Sequence, residues 1–335
     1  MGRAVSVAYR AAAPVRLDFA GGWTDVPPWS AREGGVVVSA AVALYAHAEV
    51  VPGGTDYRLT AEDLGESLIL PNAEALAGME SLPLLRAALR LVPIGPCALT
   101  TRSDAPAGSG LGSSGAVDVA LVAALAAARG EARSPGDIAE LAFRLERVEA
   151  GISGGRQDQL TAAFGGFLRM KFRDPKVDVA PLALDPELAR ELERRMLLVY
   201  TGASRFSGDT IGRVMGAYER GDRAVTAALH GLREAAERMA EALPAGDVAR
   251  IGALLDANWA HQQALDPAMC TPPMARLGEA MRRAGVLGGK AAGSGAGGCM
   301  FFLGPDDPAP AREAARALGM PALPVRWAMD GVRAC

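Results

Sequence analysis

Asp104-Ala-Pro-Ala-Gly-Ser-Gly-Leu-Gly-Ser-Ser-Gly115 is the stretch on which this chain turns. A β-rich run, Cys97 to Ser103, leads into it. A helix follows from about Gly112 through Ala-Val-Asp-Val-Ala-Leu-Val-Ala-Ala-Leu. Four glycines and three serines therefore sit where a strand passes into a helix. Glycine admits positive φ and lets backbone N–H groups face a ligand with no Cβ in the way. A helix start adds unpaired N–H donors and the positive end of the macrodipole, so the place suits phosphate. A serine-capped turn rich in glycine would look similar taken alone. The stretch is not a Walker A loop, because Ser-Ser stands where Gly-Lys-Ser/Thr is required. Any cation that helps must come from elsewhere in the chain.

Composition narrows the field. With 335 residues, half of them hydrophobic, the chain can build a large core and has the length of two lobes. A net charge of −3 without a basic run argues against nucleic acid as a partner. The four cysteines, Cys97, Cys270, Cys299 and Cys335, form no CxxC pair, and the three histidines lie beside none of them. That pattern fits free thiols in a reducing compartment and disfavours zinc. No signal core opens the chain and no apolar run reaches a membrane span, so a cytoplasmic protein without a membrane partner is expected.

Upstream of the glycine-rich turn, Ala13 to Phe19 alternates like a strand. Val15, Leu17 and Phe19 take one face, Arg16 and Asp18 the other. The loop Ala20-Gly-Gly-Trp-Thr-Asp-Val-Pro-Pro-Trp29 follows, stiffened by its prolines and expected to expose the Asp25 carboxylate. Asp25 either caps backbone N–H groups or accepts hydroxyl hydrogens from a sugar whose ring face an indole covers. Gly34 to Val51 reads as one or two strands. Pro52 to Thr55 turns it back, Ser67 to Leu70 adds a strand, and Leu82 to Leu91 forms a short amphipathic helix. His47 reads as a strand residue paired locally.

Downstream, a helix capped by Ser134 runs from Pro135 to Glu149 and carries Glu146 and Glu149 on one face of its last turn. Carboxylates there oppose the macrodipole, so either Arg144 and Arg147 on a solvated face or a metal ion should compensate them. In Gly154-Gly-Arg-Gln-Asp-Gln159, Asp158 begins a short helix, as a cap or as a proton acceptor. Gly166 to Phe172 is a strand, and residues 173–183 read as a connector to a lobe boundary near 185. Strand Met196 to Tyr200 and three long helices follow, and then a second glycine-rich stretch, Gly288-Gly-Lys-Ala-Ala-Gly-Ser-Gly-Ala-Gly-Gly298. Between a helix and the strand Cys299 to Leu303, that stretch suits close backbone approach to a ligand or to the other lobe. A last strand is expected near Pro324 to Met329.

Taken in order, these motifs resemble the GHMP kinase superfamily, which includes galactokinase, homoserine kinase, mevalonate kinase and phosphomevalonate kinase. The resemblance covers nearly the whole chain. It implies an α+β, two-lobed GHMP kinase fold: a ribosomal-protein-S5-like N-terminal lobe over residues 1–185, binding ATP, and a ferredoxin-like C-terminal lobe over 186–335. The active site would lie between them. Arg16-Leu-Asp-Phe-Ala-Gly-Gly-Trp-Thr-Asp-Val-Pro-Pro28 is similar to the sugar branch that holds L-fucokinase and D-glycero-D-manno-heptose 7-phosphate kinase. Trp23 leans to the fucokinase form, the short chain to the heptose kinases.

This resemblance implies transfer of a phosphoryl group from ATP to a sugar hydroxyl, most simply the anomeric one. Pro106, Gly108, Ser109, Gly110, Leu111, Gly112, Ser113 and Ser114 would cradle the nucleotide. Ser114 and Glu146, chosen over Glu149, would hold Mg²⁺. Asp158 would take the hydroxyl proton, and Arg16 would keep it ionised. Gly22, Trp23, Thr24 and Asp25 would bind the sugar. Arg205 would meet a substrate phosphate, and Lys290 would support its own loop or reach a phosphate. A regulator that binds ATP and sugar without turnover is the alternative from another class.

Overall fold

The computed structural model describes residues 7–78, 81–202 and 207–335. Its first sheet begins with β1 (Tyr9–Ala20), followed by the one-turn α1 (Trp29–Arg32) and the long β2 (Gly35–Pro52). The 18 residues of β2 form one strand that serves several partners. β1 runs antiparallel along one edge, from Tyr9↔Val50 to Ala20↔Val38. The other edge is shared: its second half pairs with β5 (Cys97–Ser103), its first half with β6 (Phe167–Arg173). Between β2 and β5 in sequence come β3 (Tyr57–Ala61), β4 (Glu66–Leu70) and α2 (Pro83–Leu91). β3 pairs in parallel with β5 and antiparallel with β4.

The helix after the glycine-rich turn, α3 (Ser113–Ala128), is buried along almost all of its length and packs on β1 and β2. An apolar helix with no polar face has nowhere else to go. It is the spine of the first lobe, and its N-terminus is fixed in place by that packing. Next, α4 (Pro135–Arg144) is opened by a capping box between Ser134 and Asp137. The helix expected to reach Glu149 instead changes pitch at Leu145. Residues Leu145–Glu149 form a π turn, with Ala150 N–H donating to Leu145 O at 2.9 Å. A wider turn rotates Glu146 and Glu149 off a common face. α5 (Gln157–Phe164) follows. The segment read as a connector after β6 holds a strand, β7 (Lys176–Pro181), which hairpins onto β6.

A second sheet, in the order β11-β8-β10-β9, is built from β8 (Met196–Tyr200), β9 (Gly288–Ala291), β10 (Cys299–Leu303) and β11 (Ala322–Leu323). α6 (Pro186–Arg195) leads into it. After β8 come α7 (Ser207–Glu219) and α8 (Arg223–Ala245), α8 packing on β1 and β2 of the first sheet, whereas α9 (Val248–Leu265), α10 (Pro272–Arg283) and α11 (Ala309–Ala317) pack against the second. The strand expected over Pro324 to Met329 reduces to a single bridge, Val42↔Trp327. The chain ends by returning to the first sheet, where β12 (Arg333–Ala334) pairs with β1. No helix among the described residues is long and apolar enough to cross a membrane.

Candidate active site

β1 and α5 deliver the central pair. Strand alternation sends Arg16 to the side opposite Leu17 and Phe19, and a bond from Arg16 N–H to Leu111 O (2.9 Å) ties the strand to the glycine-rich turn. Arg16 Nε donates to Asp158 Oδ1 at 2.8 Å, and Nη1 donates to Gly110 O (2.6 Å) and Ala292 O (2.9 Å). One guanidinium thus ties together the first glycine stretch, the second, and the carboxylate in the first turn of α5. Arg16 is 6 % exposed at its side chain and Asp158 24 %, so the anion faces the open side of the pair.

Gly112 makes the pair possible. It caps α3 at φ +75, a conformation most side chains avoid. A Cβ there would lie 3.0 Å from Asp158 Cγ and 3.3 Å from Arg16 Cζ. The N-terminus of α3 therefore opens directly beside the ion pair. The Oγ atoms of Ser109 and Ser113 are buried without hydrogen-bond partners among the described residues. Unspent hydroxyls at a helix N-terminus fit an anionic ligand such as a triphosphate.

The Asp25 carboxylate, expected to be exposed, is 2 % exposed. It accepts hydrogen bonds from Gln157 N (3.1 Å) and Gln157 Nε2 (3.3 Å). A Cβ on residue 155 would fall 1.9 Å from Asp25 Oδ2. The glycine loop before α5 therefore closes over the Trp23-Thr24-Asp25 loop, which local sequence could not reveal. Burial pushes the Asp25 carboxyl up to about 7, helped by the charges of Asp158 and Asp18 and opposed by the Gln157 N–H. Trp23, at φ 81, packs with Val26, Trp29 and Val214.

Ser114 and Glu146 meet. The Glu146 carboxylate takes hydrogen bonds from Ser114 and from Gln159 Nε2 (2.6 Å), and burial followed by the charge of Asp158 raises it to about 7. Glu149 turns elsewhere: Arg90 pairs with it at 3.4 Å. Behind Glu146, one helical turn after Ser114, lies Asp118, wholly buried, with both carboxylate oxygens unpartnered among the described residues. Burial and then Glu146 push the Asp118 carboxyl well above its usual range. A lone acid in the apolar run of α3 was the sequence signal for it. No group of three or more His, Cys, Asp or Glu side chains among the described residues is arranged to hold a metal ion by itself. Mg²⁺ needs no such group, since it takes one or two carboxylates together with water and phosphate oxygens. Glu146 and Ser114, beside two unspent serine hydroxyls, fit that ion.

The second glycine stretch closes against the first. Cys299 N–H donates to Ser109 O (2.7 Å), and a Cβ on residue 293 would lie 2.5 Å from Gly110 O. Lys290, from the same stretch, is fully buried and donates to Asp18 O (2.6 Å) and Asp18 Oδ2 (3.0 Å). It braces the two lobes.

The cleft so formed holds about 450 Å³. Arg16, Gly22, Trp23, Asp25, Gly108, Ser109, Gly110, Gly112, Ser113, Ser114, Glu146 and Asp158 all line it. Three expected residues do not. Pro106 stands outside the lining, and Leu111 is buried in the core. Thr24 is buried, its hydroxyl donating to Gly21 O (2.7 Å) and accepting from Val36 N (3.1 Å), so it braces the loop instead of meeting a sugar. Arg205 lies outside the described residues. Asp18, Gly155 and Gln157 also line the cleft, beyond the residues expected from sequence. The shared strand face of Arg16 and Asp18 was the available clue for Asp18.

Residues 80–166 match the family model described as the GHMP kinases N terminal domain, and residues 239–320 the one described as GHMP kinases C terminal. A D-glycero-alpha-D-manno-heptose 7-phosphate kinase of Campylobacter jejuni subsp. jejuni is 31% identical over 304 residues, covering 88% of each chain. The bifunctional fucokinase/GDP-fucose pyrophosphorylase of Arabidopsis thaliana is 30% identical over 318 residues, 88% of this chain but 29% of that protein's length. The crystal structure of a D-glycero-D-manno-heptose 1-phosphate kinase from Bacteroides thetaiotaomicron superposes with a TM-score of 0.75 at 28% identity, over 98% of both chains.

Proposed function

The chain belongs to the GHMP kinases, and on that premise we propose that it is an ATP-dependent sugar kinase acting on the anomeric hydroxyl of D-glycero-D-manno-heptose 7-phosphate. The observation that carries the chemistry is the Arg16–Asp158 pair at 2.8 Å beside the N-terminus of α3. Proton acceptor, cation and phosphate cradle then converge on one cleft. The substrate rests on the likeness to the Campylobacter enzyme over 88% of each chain.

Phosphoryl transfer passes through a loose transition state, so catalysis is mostly positioning and charge stabilisation. The N–H groups of Gly108 and of Gly110 to Ser114, with the α3 dipole, hold the triphosphate. Asp158 orients the sugar hydroxyl and accepts its proton as the phosphoryl leaves ATP. Arg16 fixes the Asp158 carboxylate through its Nε at 2.8 Å and offsets charge on the group in transit. Ser114 and Glu146 would hold Mg²⁺, which would supply neutralisation of the phosphate charge. Asp25, held by Gln157, and Trp23 form the sugar side of the cleft. Arg205, after the Thr201-Gly202 turn, is assigned to the phosphate at the far end of the heptose. Free thiols at Cys97 and Cys299, both buried, fit a reducing cytoplasm.

A purified-enzyme assay over free and phosphorylated sugars, with phosphorus NMR on the product, tests this reading. A 1,7-bisphosphate formed from heptose 7-phosphate supports it. Turnover of L-fucose alone would move the enzyme to the fucokinase side, which Trp23 in the cleft favours. Arg205→Ala separates the two. It should cost about 10–150-fold in kcat/KM on a phosphorylated sugar and little on a free one.

A further inference from the structure

Asp18 shares a strand face with Arg16, two residues away, and lines the same cleft. Its carboxylate is only half used. Oδ2 accepts from Lys290 Nζ at 3.0 Å, whereas Oδ1 is buried and has no partner among the described residues. The residue is 3 % exposed, and an unpaired buried acceptor is a standing cost that a ligand donor would remove. Lys290 also holds the Asp18 carbonyl at 2.6 Å, so carboxylate and backbone are fixed together by a cation from the other lobe. Gly22, another residue of the cleft, lets the backbone come against the oxygen that Lys290 holds. A Cβ there would lie 2.1 Å from Asp18 Oδ2. Asp18 is also close enough to Asp25 for its charge to help raise that carboxyl. Two carboxylates thus flank Gly22 and Trp23 on the sugar side of the cleft.

We propose that Asp18 is a further sugar-binding residue, fixed by Lys290 and accepting a ring hydroxyl on the oxygen that Lys290 leaves free. The assignment rests on the sugar-kinase reading. It also narrows the substrate class. Two neighbouring carboxylates suit a polyol that donates hydroxyl hydrogens to both, and they repel an acceptor with its own carboxylate near the reacting hydroxyl. A hydroxy acid or amino acid fits this wall poorly.

The test uses the double variant Asp18→Asn/Lys290→Met, which removes both charges together and leaves no buried cation unpaired. Binding of D-glycero-D-manno-heptose 7-phosphate, of its ring monodeoxy analogues and of ATP is measured by calorimetry, with the thermal midpoint recorded for each protein. Heptose 7-phosphate affinity should fall about 10–100-fold while ATP affinity stays within about 2-fold, as expected for one lost charge-assisted hydrogen bond. One monodeoxy analogue should bind wild type more weakly than the parent sugar yet bind the variant equally well, a coupling that a purely structural role would not produce. Unchanged sugar affinity in the folded variant, or deoxy penalties identical in both proteins, would overturn the assignment. If the double variant does not fold, Asp18→Asn alone is put through the same cycle and judged by the same coupling. Wild type that binds no sugar at all would sink the kinase reading and this assignment together. Wild-type binding with an unaffected variant would sink only Asp18.

Discussion

The Asp25 carboxylate is gripped by Gln157, which offers its backbone N–H at 3.1 Å and its side-chain amide at 3.3 Å, one residue before Asp158. The group that binds sugar and the group that takes the proton are therefore set by the same turn at the start of α5. Distance between them cannot drift without breaking that turn.

Burial at this grip gives Asp25 its own pH signature. Its folded value of about 7 stands above the ordinary one of 3.8 that the unfolded chain takes. A raised acid contributes stability below its unfolded value and loses it as pH rises through the folded value. The stability of wild type relative to Asp25→Asn should therefore fall from about pH 4 to about pH 7 and level off above. Sugar affinity should move the other way, rising in wild type through about pH 7 as the accepting carboxylate forms, and staying low and flat in the variant. Calorimetric titration across that range, with ATP binding as control, checks both slopes.

The choice of Glu146 over Glu149 has a direct readout. Ser114→Ala and Glu146→Ala should each weaken Mg²⁺-ATP binding by about 10-fold or more and leave sugar binding nearly unchanged, a loss typical of one ligand of a charged site. Glu149→Ala, whose side chain faces Arg90, should leave both alone. A larger loss from Glu149→Ala than from Glu146→Ala would reverse the assignment.

Asp118 tests what the metal site costs the fold. Its unpartnered carboxyl, pushed up by burial and by Glu146, is disfavoured in its charged form. Stability is present below the unfolded value and lost as pH climbs through the raised folded one. Asp118→Asn removes that titration and should gain on wild type as pH rises, by about 1–3 kcal/mol at the alkaline end. Denaturant unfolding without Mg²⁺ at several pH values measures the gap. A gap independent of pH would show that Asp118 does not carry this burden.

Much of this site was legible because its residues sit in contiguous motifs. The turn around Gly112, the Arg16 strand and Asp158 after Gly154-Gly155 each declare their chemistry locally. What was hidden depends on contacts across the chain. Asp25 looked exposed because Gly155, which covers it, lies 130 positions away. Thr24 looked like a sugar ligand because its backbone partners, Gly21 and Val36, emerge only when the loop closes. Glu146 and Glu149 looked equivalent because helical spacing assumes an α turn, and the chain makes a π turn there. The hairpin of β6 and β7 is hard to read because β7 is a six-residue edge strand bounded by Pro175 and Pro181, whose alternation rests on two half-buried valines, Val177 and Val179.

The central claim is that Asp158 takes the proton while Arg16 and the α3 cradle hold the reacting groups. Asp158→Asn keeps the shape and the amide can still meet Arg16, but the anionic acceptor is gone. Its kcat on heptose 7-phosphate, measured with ATP and sugar affinities in parallel, should fall by about 10²–10⁴-fold with both affinities near wild type. A kcat close to wild type, with binding intact, would contradict the account.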